Sequence, residues 1–220
     1  MKSKKSNKKI IILIIVLVIV LAFLIGLIFN KKDSFDSRLS KSVNNTNVEK
    51  SGSYRMDLRI YGIYNNKGIN NIIMINNYKN TDKDITITVG DKEEKYLIKD
   101  NKKYKVENEK LNSVDKVPYE NTEVYLNGVK KLKSLTEEKD QKISTNTYKV
   151  YKGLISSDDI KDILKASGID VKLDKDVETE VWLTNDNYVY KVYYRLDKLT
   201  IYASYFGYGN MSKVNLDIYK

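Results

Sequence analysis

The sequence predicts an α+β protein: a single large curved antiparallel sheet with two helices on its concave face, preceded by one N-terminal transmembrane helix. Three observations carry this. Residues 10–29 form an unbroken apolar run without a charge. Two blocks, 53–106 and 177–219, alternate apolar and polar residues with a period of two, the mark of strands with one face buried. Between the blocks lie two stretches with helical spacing and helix-boundary residues. The gaps between strands are too short for crossovers, so the pairs must be antiparallel hairpins.

The basic tip, residues 1–9, holds Lys2, Lys4, Lys5, Lys8 and Lys9 and no acid, and is expected to stay in the cytoplasm. Residues 10–29 follow as the transmembrane helix. At 1.5 Å per residue, a helix of that length spans roughly 30 Å, the thickness of a bilayer's hydrocarbon core. Ala22 and Gly26 are its only small interruptions. The competing element is a cleaved secretory signal, whose apolar region runs about 7–15 residues and ends in small residues. Leu27-Ile28-Phe29-Asn30-Lys31 offers no such site, so an uncleaved single-pass anchor is expected, with the C-terminal domain extracytoplasmic. Lys31, Lys32, Arg38 and Lys41 sit just past the span and weaken the charge asymmetry that sets this orientation. Residues 30–52 read as a linker. Phe35, Leu39 and Val43 fall at helical intervals, but the Ser, Asn and Lys content favours a flexible stalk.

The extracytoplasmic domain, residues 53–220, opens on Ser53 to Ile60, where every even position is apolar and every odd one polar. A second strand runs from Ile69 to Tyr78 with a continuous apolar middle. Ile85/Ile87/Val89, Tyr96/Ile98 and Tyr104/Val106 mark three more, separated by Gly90-Asp91 and Asp100-Asn101 turns. A weak helix is expected from about Asn121 to Ser134, with Tyr125, Val129 and Leu132 on its face. Gly128 costs that helix roughly 1 kcal/mol relative to Ala. Ile143 to Val150 reads as a strand. The better helix follows Ser156, which can cap it with Asp159 three residues on, while Ile155 staples against Ile160. Its face is Ile160, Ile163 and Leu164, and Gly168 stops it with Ile169 folding back. Val177 to Leu183, Tyr188 to Leu196, Leu199 to Phe206 and Val214 to Tyr219 complete the sheet.

Composition narrows the chemistry. The net charge is +10, of which the tip supplies five. The mild remainder suits residence near an anionic membrane or wall surface. The lysines scatter, and no finger, recognition helix or phosphate loop is present, so no nucleic-acid partner is expected. There is no cysteine and no histidine. That excludes disulfides, thiol nucleophiles, Ser-His-Asp arrangements and ordinary zinc sites. No cofactor or metal is expected. Asp82/Asp84, Glu93/Glu94, Glu137/Glu138 and Asp158/Asp159 are paired in sequence, but each pair sits beside turn-like sequence or at a helix start. Solvated charge or capping accounts for them, and no enzymatic activity is expected. The 18 tyrosines suit sheet surfaces and apolar pocket walls alike. Trp182 reads as a core anchor.

The layout and certain residues resemble the LolA-like fold of envelope lipoproteins, including the LolA carrier and the mycobacterial LppX/LprG lipid-binding group. Ser53-Tyr54 is similar to the family's opening strand. Glu180-Val181-Trp182-Leu183, after a capped helix, is similar to its Glu-Val-Trp-Leu-like stretch. Tyr205-Phe206-Gly207-Tyr208-Gly209, then Val214-Asn215-Leu216, is similar to its last hairpin. The resemblance covers about residues 50–220. Two departures stand out: a retained span in place of a cleaved signal or lipobox cysteine, and no closing Pro after the last strand. The resemblance implies a half-barrel whose concave face, partly plugged by helices, receives an acyl chain of a lipid or lipoprotein. Alternation then names the candidate wall residues as Met56, Leu58, Ile60, Ile73, Ile75, Trp182, Tyr190 and Val192. The alternative is a ligand-free structural or regulatory domain of the same fold that docks an envelope protein partner.

Overall fold

Strand β1 (Ser53–Tyr64) lies at the centre of the sheet, and its neighbours fix the rest. On one side it pairs with β2 (Lys67–Tyr78), then β3 (Lys83–Val89), β4 (Lys92–Lys99), β5 (Lys102–Glu107) and β6 (Lys110–Ser113) in a simple meander. On the other side it pairs with β12 (Leu199–Phe206), followed by β11 (Val189–Arg195), β10 (Val177–Leu183), β9 (Asn146–Ile155) and β7 (Lys133–Glu137). Strand β8 (Gln141–Ile143) pairs with β9 off this path. Every pairing is antiparallel. The structure is a computed structural model that describes residues 4–211, 214 and 216; within the first helix, the side chains of 4–13, 22 and 25–34 fall outside this set.

Local chemistry sets the hairpins. Asn65-Asn66, Asp100-Asn101 and Asn108-Glu109 each place two successive residues at positive φ. Two-residue turns of this kind match the twist of the flanking strands, and Asn and Asp tolerate that conformation best. The expected strands before residue 107 and from 177 to 206 are all present, with ends moved by a few residues. The expected strand at 143–150 runs Asn146–Ile155. Strands β6, β7 and β8 were not foreseen, because they are short and mostly exposed and so carry no alternation. The expected strand Val214 to Tyr219 lies largely outside the described residues.

Four helices occur among the described residues: α1 (Lys4–Thr46), α2 (Val48–Ser51), α3 (Glu123–Lys130) and α4 (Lys161–Ala166). The Ser156–Asp159 pair forms as its sequence implies, but it closes a turn over residues 157–160 and α4 itself begins only at Lys161. Asp159 N–H donates to Ser156 Oγ at 3.1 Å, and Ser156 Oγ donates to Asp159 Oδ2 at 2.5 Å. Gly168 takes φ +69°, which lets Ile169 N–H fold back onto Leu164 O at 2.9 Å.

By its internal contacts the chain divides into two units, Met1–Arg38 and Leu39–Lys220. In the first, α1 carries Ile14 to Leu21, Phe23 and Leu24 with 50–67% of their surface exposed. Among the described residues no helix is long and apolar enough to cross a membrane. Residues 10–13, 22 and 25–29 of the expected span lie outside the described side chains. The second unit holds the sheet and a surprise at its start. Residues 39–46 and 48–51, within the expected linker 30–52, are helical in place of a flexible stalk, with Asn47 capping the second stretch. Leu39 and Val43 are buried, Asn45 Nδ2 donates to Asn187 O at 3.0 Å, and Val189 N–H donates to Thr46 Oγ1 at 2.8 Å. The i, i+4 spacing of Leu39 and Val43 gives this helix end one apolar stripe, and docking it outweighs the polar composition that favours coil.

Leu39→Ala should therefore lower the unfolding free energy by about 2–5 kcal/mol, as for other buried Leu-to-Ala changes. Ser40→Ala, on the exposed side, should change it by no more than about 0.5 kcal/mol. Denaturant titration of the full chain, followed by Trp182 fluorescence, checks both.

Candidate functional site

Alternation sorts the strand residues onto two faces, and the register shows which of the eight candidates stand together. Met56 lies opposite Ile75 and Tyr205, Leu58 opposite Ile73 and Ala203, and Ile60 opposite Ile201. Val192 lies opposite Val181 and Ala203. These six candidates, Met56, Leu58, Ile60, Ile73, Ile75 and Val192, share one apolar face, and each is wholly buried. Burying a side chain of this size contributes about 1.5–3 kcal/mol, so this face is also the main source of the fold's stability.

The other two candidates stand on the opposite face. Trp182 pairs in register with Lys191 and Val150, out of phase with Val181. Tyr190 is displaced by a bulge: Leu183 pairs with Val189 and Trp182 with Lys191, leaving Tyr190 as the extra residue. It stacks on Tyr148 at 4.3 Å, and Tyr148 in turn meets Trp182 at 6.0 Å. A bulge moves every later residue to the other phase, so simple alternation mis-assigned Tyr190. Trp182 is half-buried among outer rings and is not an anchor of the inner core.

The inner face is closed by helices on that side alone. Helix α3 sits directly on Tyr194 of β11, whose hydroxyl donates to Tyr125 O at 2.6 Å. A Cβ on Gly128 would lie 2.5 Å from Tyr194 Oη and 2.6 Å from Ile163 Cδ1. The glycine that weakens α3 as an isolated helix is thus what lets it touch both the sheet and α4. Tyr125 Oη also meets Ser167 Oγ at 3.1 Å, tying α3 to the end of α4.

The N-terminal end of α3 is fastened by polar groups. Asn47 Nδ2 donates to Glu123 Oε2 at 3.0 Å, and Tyr54 Oη approaches Glu123 Oε1 at 3.5 Å. Lys83 Nζ donates to Glu120 O and to Thr122 Oγ1, and Thr122 Oγ1 donates to Asn77 Oδ1 at 2.9 Å. Burial pushes the Glu123 carboxyl above its ordinary range, against the pull of Lys83 and the Tyr54 contact. Burial likewise holds the Lys83 ammonium below its usual value, against the attraction of Glu123 and Glu120. Desolvation outweighs pairing for both groups. Of these fastening residues only Tyr54 is named by the sequence, as part of the opening strand and not for this role; from the cover the sequence marks the apolar faces of the two helices and Gly128, the last as a helix liability.

Two further features bear on ligands. Tyr205 Oη is buried on the inner face with no hydrogen-bond partner among the described residues. An open groove of about 540 Å³ runs along α4 and the segment after it, with Leu164, Ile169 and Val171 as apolar walls and Lys161, Lys165 and Lys172 alongside. This groove and three further cavities, beside Tyr78, Asn127 and Tyr202, are lined by none of the six inner candidates. The sequence-paired carboxylates are in part taken up by neighbours, with Asp82 on Lys99 at 2.7 Å and Asp158 on Lys161 at 2.7 Å. Among the described residues no group of three or more acidic side chains could hold a metal ion.

No family model and no curated protein matches the chain. Solved structures do. Lipoprotein LppX of Mycobacterium tuberculosis superposes with a TM-score of 0.62 at 11% identity, covering 83% of this chain and 99% of that one. LprF of Mycobacterium bovis gives 0.55 at 12% identity, covering 82% and 96%. The LolA superfamily protein NE2245 of Nitrosomonas europaea aligns over 84% and 96% with a TM-score of 0.35, too loose to argue from. The chain shares the fold of LppX and LprF, as the resemblance to the LppX/LprG group implied.

The fastening of α3 predicts a pH dependence. The folded chain keeps Glu123 protonated to higher pH than the unfolded chain, so its stabilising contribution is complete below the ordinary carboxylate pKa. That contribution is lost as pH rises through the raised folded value. Glu123→Gln should remove this fall, flattening the unfolding free energy against pH just above the ordinary carboxylate range. Denaturation curves of both proteins across that range check it.

Proposed function

We propose that the chain is a membrane-anchored extracytoplasmic binding protein that holds an acyl chain of a lipid or lipoprotein against the inner face of its sheet. Residues 10–29 are the anchor and the basic tip stays inside. The exposed apolar side chains of α1 support this part of the reading, since a stripe of that size needs an apolar medium around it. One observation carries the acyl reading. A continuous apolar face built from β1, β2, β10, β11 and β12 is roofed by helices of only eight and six residues, and on it the buried Tyr205 Oη has no hydrogen-bond partner among the described residues. A buried hydroxyl without a partner costs about 1–3 kcal/mol. A carboxyl or ester carbonyl at the head of an acyl chain would accept a hydrogen bond from it. Met56, Leu58, Ile60, Ile73, Ile75 and Val192 would be the wall. Space for the chain opens when α3 and α4 lift, with the groove beside α4 as the entrance. The chemistry is binding alone, with no reaction.

A second reading has its own support in the tight seat of Gly128 on Tyr194 and Ile163. On it the roof is permanent, and the domain docks an envelope protein partner without any small ligand.

Full-length protein purified from its own membrane should carry acyl lipid at near one per chain, above the level on an unrelated single-span protein prepared alongside. It should also take up a fluorescent fatty acid saturably. Ligand-free protein that takes up none supports the second reading. A membrane-impermeant maleimide on intact cells should label Lys110→Cys and spare Lys5→Cys, a clean comparison because the chain has no cysteine of its own. The reverse labelling pattern overturns the orientation.

A further inference from the structure

The outer face of the central strands carries a second constellation that the acyl reading does not use. Across β1, β12 and β11, Arg59, Tyr202 and Tyr193 stand in one row. Tyr202 and Tyr193 stack at 4.7 Å. Both rings line a cleft of about 500 Å³ together with Arg59, Tyr61 and Asn70. In the next row Lys191 places its Nζ 5.1 Å from the Trp182 ring, 4.9 Å from Tyr190 and 5.9 Å from Tyr202.

The charges here do not balance. Asp57 is engaged by Arg55 at 2.9 Å. Glu180 accepts from the Trp182 indole at 2.6 Å and from Arg195 at 3.2 Å. Arg59 and Lys191 have no carboxylate partner among the described residues. The rings around Lys191 strip water from it and hold its pKa below the usual lysine value, so its charge is incompletely compensated. An exposed strand face ordinarily pairs its cations or leaves them in water. This one sets Lys191 against flat aromatic faces and Arg59 in the cleft beside Tyr61 and Tyr202, with an amide and phenol hydroxyls as hydrogen-bonding groups.

We propose that this face binds an anionic glycan: a sugar ring packs on Tyr202 and Tyr61 in the cleft, and its phosphate or carboxylate groups are met by Arg59 and Lys191. Aromatic faces suit the C–H face of a pyranose, and the Asn70 amide and the phenols suit its hydroxyls. The anion supplies the counter-charge that the protein lacks, and the Arg fork favours a planar or tetrahedral oxyanion. The proposal is independent of the acyl reading, because it rests on the opposite face of the sheet.

Trp182 is the only tryptophan and lies beside Lys191, so its fluorescence reports directly on the site. The test titrates the full chain in detergent with pentamannosyl phosphate, with pentamannose, with inorganic phosphate and with a ten-residue oligothymidine. The phosphorylated glycan should shift Trp182 emission saturably. Pentamannose and phosphate should each bind about tenfold more weakly or worse, since one charge-assisted contact is worth about that factor. Arg59→Ala and Tyr202→Ala should each weaken binding by about tenfold or more. Tyr202→Phe, which keeps the ring, should stay within about threefold of the parent; it and Arg59→Ala should keep the parent's melting temperature, and all three variants should keep its fatty-acid uptake. No response to the phosphorylated glycan overturns the proposal, as does equal binding of pentamannose or an Arg59→Ala variant that binds normally. Tighter binding of the oligothymidine would assign the face to nucleic acid and overturn it as well.

Discussion

The contact of Gly128 with Tyr194 is the constraint on which the interior depends. A sheet of this width exposes far more apolar surface on one face than two short helices can cover unless they lie against it. The missing Cβ lets α3 come down until the Tyr194 hydroxyl reaches the Tyr125 carbonyl, and the same gap admits Ile163 from α4. Helix propensity was given up at one position, about 1 kcal/mol, for a packed contact that positions two helices at once.

The two ends of α3 are held by different physics. Its middle is apolar and close-packed, while its N-terminal end is secured through Glu123, Thr122 and Lys83, groups that resist burial even when bonded. A polar fastening in a poorly solvated place contributes little net stability, and it breaks at lower cost than a packed core. The start of α3 is thus held by polar contacts to Asn47, Tyr54, Lys83 and Asn77, and its middle by close packing at Gly128.

The strands were legible in the sequence because each has one wet face and one dry one, and a period of two shows this within a few residues. The capped helix α4 was legible because Ser156, Asp159, Gly168 and Ile169 each have a single local role. What escaped were features set by distant partners. Strands β6 to β8 exist because a neighbour offers an edge, with no pattern of their own. Residues 39–51 pack because the domain provides a site for Leu39 and Val43, which composition alone does not reveal. Six of the eight candidate wall residues fell on one face, while a single bulged residue sent Tyr190 to the other. Trp182 went there by register, against its reading as a core anchor. The uncompensated cations Arg59 and Lys191 were invisible, since pairing across strands is known only once the register is.

Whether the inner face is a binding surface or merely a core turns on how readily α3 leaves it. Hydrogen exchange of the full chain, read amide by amide, measures this directly. If α3 is a cover, its amides and those of α4 should exchange by a shared local opening, orders of magnitude faster than Leu58 or Ala203, and should slow when fatty acid is added. Exchange of α3 only by global unfolding, at the same rate as Leu58, would make the helix a fixed plug and contradict the account.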